Sequence, residues 1–192
     1  LINVNLGADF AATLPGEGRR PELEVYGELL IDDAQGTASS RDSVPDFLGG
    51  LVGVRVPRFT SDPRFSGYLE YVAISSYVYS HKNPDNNYVY RGTVIGHSLG
   101  PDADMWAVAA GFRPDSQTIV SLLGAVVRHG ESEIGHPWSP AEGRYREFPS
   151  GIAERTVKAS LEVERTLREP VLIAGRLELG TTFNKGHVQG ST

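Results

Sequence analysis

Thr156-Val157-Lys158-Ala159-Ser160-Leu161-Glu162-Val163-Glu164 decides how this chain is read. Apolar side chains hold every second position, and polar ones, among them Lys158, Glu162 and Glu164, hold the rest. A helix through residues 153–167 would set Lys158 and Glu164 on or beside its apolar stripe. An extended strand sends all the polar residues to one side instead. The next segment keeps the rhythm: Val171, Ile173, Leu177 and Leu179 oppose Arg176, Glu178, Gly180 and Thr182. Further back, Leu23, Val25, Leu29 and Ile31 alternate with Glu22, Glu24, Glu28 and Asp32. Ile2, Val4, Leu6, Ala8 and Phe10 alternate with Asn3, Asn5, Gly7 and Asp9. Residues 48–56, 67–77, 104–112 and 118–128 complete a set of about eight strands of roughly 9–12 residues.

Strand length then selects an architecture. Strands of soluble sandwiches run to about 5–6 residues, whereas strands that cross a bilayer at a tilt need about 9–11. The connections alternate too. Residues 12–21, 57–66, 113–117 and 168–170 are short or moderate, while 32–46, 78–103 and 129–153 are long and polar. Short turns at one end and long loops at the other characterise outer-membrane barrels. The expectation is an all-β, antiparallel transmembrane β-barrel with long extracellular loops, or the C-terminal part of a larger one; a large soluble β-sandwich is the alternative. A lipid-facing Lys or Arg costs about 2–4 kcal/mol at the bilayer midplane. In a barrel Glu22, Glu24, Glu28, Arg55, Glu70, Lys158, Glu162, Glu164, Arg176 and Glu178 must therefore line the interior. Tyr68, Tyr71, Tyr77, Trp106, Phe112 and Phe183 lie near segment ends, where interfacial aromatic belts form.

Composition sets the outer bounds. The chain has 192 residues, enough for one domain spanning residues 1–192. Its formal charge of −6 argues against nucleic-acid binding, which needs a basic stripe. There is no cysteine, so disulfides, thiol catalysis and zinc ribbons drop out. The longest apolar run, Ile119 to Val127, contains Ser121 and is half the length of a membrane helix of about 18 residues. The chain opens at Leu1 with neither methionine nor a signal-like segment, as expected of a processed or fragmentary end.

Gly96-His97-Ser98-Leu99-Gly100 matches the G-x-S-x-G nucleophile elbow of serine esterases. That elbow needs a strand before it and a helix after it. Here a turn-rich run, Leu99 to Asp104, follows, so no catalytic residue is expected, and a Ser98 esterase stands only as the outsider among the functions. His81, His97, His129, His136 and His187 are scattered without ligand spacing, so neither a metal nor another cofactor is expected.

Taken together, Tyr26-Gly27-Glu28-Leu29-Leu30-Ile31-Asp32-Asp33, Glu70-Tyr71, Tyr77 and the run from Tyr90 to Asp102 resemble the capsule assembly protein family of Wzi type. That family carries a "YGE…DD" strand end, an "EY" strand and a "Y-x-G-x-x-x-G-H-x-x-G-P-D" segment in this order. The resemblance covers residues 22–112 and turns the apparent esterase elbow into a loop signature. It implies a Gram-negative outer-membrane barrel that holds capsular polysaccharide as a lectin, with outer-membrane lipid around it. Family members are more than twice as long, and residues 185–192 lack the terminal aromatic usual for such barrels. A C-terminal portion, completed by missing strands or further chains, is therefore expected. A porin-like or structural barrel in another surface assembly is the competing function.

Loop alternation gathers 32–46, 78–103 and 129–153 at one mouth, taken as extracellular. Carboxylates accept from sugar hydroxyls, and aromatic rings stack on pyranose faces. Asp32, Asp33, Tyr90, Arg91, His97, Asp102 and Trp138 are the expected carbohydrate contacts. Gly96, Gly100 and Pro101 are expected to shape a tight loop. An ion pair of Arg91 with Asp102 or Asp104 is the other use for that side chain.

Overall fold

The computed structural model describes residues 5–18, 20–32, 47–59, 61–91, 93–142, 147–168 and 171–192. Eight long strands form one antiparallel sheet: β1 (Asn5–Leu14), β2 (Leu23–Asp32), β3 (Phe47–Val56), β4 (Phe65–Ile74), β7 (Ala103–Phe112), β8 (Thr118–His129), β9 (Glu154–Arg168) and β10 (Val171–Phe183). Between β4 and β7 sits a small hairpin, β5 (Val89–Tyr90) and β6 (Thr93–Val94), which the sequence rhythm is too short to reveal. Spatial order follows chain order, so every long strand pairs with its nearest neighbour in the main chain of strands. β1 and β10 form the two edges, and the eight strands do not close into a barrel. Among the described residues no helix is long and apolar enough to cross a membrane.

The registers sort the side chains onto two faces. Opposed residues share a face, and successive residues alternate. One face carries Asp9, Glu24, Glu28, Arg55, Glu70, Lys158, Glu162, Glu164, Arg176 and Glu178. This is the charged file expected from sequence, with Asp9 added and Glu22 left just before β2. The other face runs through Leu6, Phe10, Leu29, Val52, Leu69, Val108, Leu122, Leu161, Ile173, Leu177 and Leu179. No further strand or helix among the described residues packs on it, and these side chains stay exposed, Leu179 to 68%. A sandwich would lay a second sheet there. This chain presents a single layer.

Charge returns to the apolar face only at its two margins. Asp104, Arg128 and Arg155 form a row at the long-loop end, and Arg165 stands at the short-turn end. Arg155 and Arg165 lie ten residues apart on β9, about 34 Å along a strand rising about 3.4 Å per residue. Tilted by about 40°, that span comes to about 25 Å, the height of the apolar band on outer-membrane barrels. Tyr71, Trp106, Phe112 and Phe183 edge this band, with Tyr71 against Trp106 at 4.6 Å and Phe65 stacked on Phe112 at 4.6 Å. Two aromatics expected in the belts lie elsewhere. Tyr68 sits on the polar face because it opposes Ala109 and Arg55, and Tyr77 is buried among the loops.

The short turns are locally specified. Asp115 accepts from the Gln117 amide (2.8 Å) and the Thr118 hydroxyl (3.1 Å), and these bonds hold its carboxyl below the ordinary range. In the 57–64 turn the Arg64 side chain does the same to Asp62.

Candidate functional site

The buried core lies at the long-loop end. Phe47, Val72 and Ile74 from strand ends pack with Tyr77, Val78, Tyr79 and Trp138 from the loops, backed by Leu30, Leu51, Tyr88 and Met105. The described parts of the 75–102 and 130–153 loops that carry Tyr77, Val78, Tyr79, Tyr88 and Trp138 thus fold back over the polar face.

Asp102 fastens them. Its carboxylate is fully buried and accepts from the Ser76 hydroxyl (2.9 Å), the Ser132 amide (3.0 Å), the Ser150 amide (3.0 Å) and the Ser150 hydroxyl. Its own carbonyl accepts from Gly130 (2.7 Å), and a β-carbon on Gly130 would overlap the Asp102 carboxylate and the Ser150 amide. Asp32 works similarly at the end of β2. It is buried, accepts from the Tyr79 amide (2.8 Å), and has the His81 Nε2 at 3.5 Å. Both acids turn inward and tie loop to sheet. Trp138 joins the core at 9% exposure. Asp33 lies outside the described residues.

Tyr90, Arg91 and His97 occupy the outer side of the cap. Tyr90 is 65% exposed at the tip of β5, and the Arg91 guanidinium sits over its ring at 5.3 Å, away from Asp102 and Asp104. His97 fixes its own turn: its Nδ1 accepts from the Leu99 amide (3.1 Å), and its amide donates to the Tyr79 hydroxyl (3.1 Å). Burial pushes the Tyr79 phenol above its ordinary range, with the His97 amide pulling the other way. Residues 96–100 form turns and bends between β6 and β7, with no helix after Ser98.

Beside His97 a cavity of about 620 Å³ opens between the polar face of β1–β4 and the 79–97 loop. Asp9, Glu28, Tyr79, Tyr88 and His97 line it, and the two tyrosine rings stack at 6.0 Å. This combination of acceptors and an aromatic ledge suits a polyhydroxylated ligand. Sequence reading reached Glu28 as a lumen residue and His97 as a contact. It missed Tyr88, whose only signal is its place two residues before Tyr90. Among the described residues no group of three or more His, Asp or Glu stands ready to hold a metal.

The motif residues outside the loops knit the strands. Tyr26 reaches across β3 to donate to Glu70 (2.9 Å), passing over Gly53, where any β-carbon would collide with the ring. Tyr71 donates to Asp104 (3.1 Å), and Arg128 grips the same carboxylate through two bonds. The "YGE" and "EY" strands, which flank β3, are thereby coupled directly through the Tyr26–Glu70 bond.

Comparison with curated proteins gives no match, and comparison with solved structures gives none. The family model for capsule assembly protein Wzi matches residues 3–164, beyond the 22–112 where motifs are legible. With the match spanning most of the chain and its motifs coupled as described, this protein belongs to the Wzi capsule assembly family.

Proposed function

We propose that the chain forms a wall of an outer-membrane β-barrel and holds capsular or surface polysaccharide at its long-loop mouth, without catalysing a reaction. One observation carries the membrane reading: an exposed apolar face, uncharged between two margins about 25 Å apart, opposite a charged one. In water such a face would be a large aggregation surface; against lipid it is the expected exterior. The long-loop cap supports the lectin reading. Tyr90 and Arg91 form an exposed stacking pair, and the neighbouring cavity adds Tyr88, Glu28 and His97. Asp32, Asp102 and Trp138 support that surface from beneath, through the bonds and packing already described.

The test uses the purified chain and isolated capsular polymer. Replacing Tyr90 and Arg91 together by Ala is expected to weaken polymer binding about tenfold, the loss of roughly 1.4 kcal/mol of stacking and hydrogen bonding. The strand content of the double variant stays that of the native chain. In cells, deletion releases capsule into the medium while export continues. Full retention of cell-bound capsule would sink the lectin reading.

A further inference from the structure

The long-loop margin of the apolar face carries a cation, Arg155, that no carboxylate among the described residues neutralises. Arg128 and Arg155 are directly opposed in the β8–β9 register, so two cationic residues neighbour each other at the margin of the apolar face, one side chain turned toward β7 and the other toward β10. Like charges in that relation destabilise a sheet. Arg128 is answered by Asp104, which it meets through its Nε (2.9 Å) and a second, shorter bond. Arg155 meets no carboxylate among the described residues; its guanidinium lies 5.8 Å from the Phe183 ring. The outward arginine at the opposite margin differs. Arg165 reaches the Thr118 hydroxyl (3.4 Å) and stands close enough to Asp115 for its charge to act on that carboxyl.

The surroundings say what would complete the site. Trp106 and Tyr71 pack ring against ring at a tilt on one flank, Phe183 lies on the other, and Val126 and Val157 begin the apolar band below. A partner here must offer an anion at the level of the arginines and hydrocarbon beneath it. The geometry points to a phosphorylated lipid headgroup of the membrane leaflet on the long-loop side, held by Arg155 and Arg128 at the outer rim. Guanidinium matches phosphate with paired N–H donors, and the acyl chains would lie along Val157, Leu161 and Val126. The inference rests on the membrane reading of the preceding subsection.

The experiment takes the full chain in detergent micelles and titrates it with bis-phosphorylated lipid A or with the same lipid stripped of phosphate. The native chain is expected to bind the phosphorylated form at least fivefold more tightly, and Arg155→Gln to lose about that factor. Arg155→Lys, which keeps the charge but not the paired donors, falls between the native chain and Arg155→Gln in preference and separates loss of charge from misfolding. Arg165→Gln leaves the preference unchanged. Equal binding of the two lipids, or equal loss in the Arg155→Gln and Arg165→Gln variants, overturns the proposal. So does inorganic phosphate raising the melting temperature as far as the lipid does. Fractionation of the native chain distinguishes the two readings. Recovery away from the outer membrane defeats the membrane reading and this one together, whereas correct fractionation with phosphate-blind binding defeats this one alone.

Discussion

At Asp102 one carboxylate gathers donors from three separate stretches of chain, Ser76, Ser132 and Ser150. Removing it strands several buried donors at once, each costing about 1–3 kcal/mol. Asp102→Ala is expected to destabilise the folded chain by at least about 3 kcal/mol, read as a lowered urea midpoint in detergent; an unchanged midpoint would refute the latch. Tyr79 gives a pH dependence. Its phenol is held neutral by burial, so its contribution is whole below about pH 10, the ordinary phenol range, and declines as pH rises through the elevated value. Tyr79→Phe should flatten that alkaline decline in melting temperature. Sequence alone marks Asp32 and Asp102 as acids at a loop mouth, where a ligand contact and an internal latch look alike. What separates them is burial by loops that have no periodicity. Val78 and Tyr79 enter the core from an irregular turn, a placement no hydrophobic rhythm announces.

Strands, by contrast, announce themselves. The two-residue period places Lys158 and Glu162 on one side of β9 and Leu161 and Val163 on the other, and the register keeps that division across the sheet. Boundaries were less legible. Residues 75–77 continue the expected strand in composition, yet the chain turns at Ser75, whose hydroxyl accepts from the Leu48 amide (2.9 Å). The division between faces makes a sharp prediction within one strand. Leu122→Arg, in the middle of the apolar face, should cost about 2–4 kcal/mol and depress insertion into lipid vesicles. Ser121→Arg, one residue away and pointing to the polar face, should insert nearly as well as the native chain. Equal insertion of the two would mean that the faces are assigned wrongly.

At the scale of the whole molecule the sheet and its cap divide the work. The sheet presents an exposed apolar face, and on its polar face the loop residues Tyr77, Val78, Tyr79 and Trp138 pack with Phe47, Val72 and Ile74 from the strand ends. A barrel mouth covered in that way would be poorly suited to passing solutes. Vesicles carrying the protein are therefore expected not to swell in iso-osmotic sugar beyond protein-free controls, and faster swelling would favour a porin. The two edges of the sheet bear on how it reaches the membrane. Along β1 and β10, alternate amides and carbonyls point sideways with no strand among the described residues to meet them. Water solvates such groups readily, whereas in hydrocarbon each one unmet costs several kcal/mol. On the proposed membrane reading, entry into the bilayer would therefore be conditional on pairing: the edges would have to be joined before or during the crossing, and a catalyst of insertion would act by lending them a temporary neighbour.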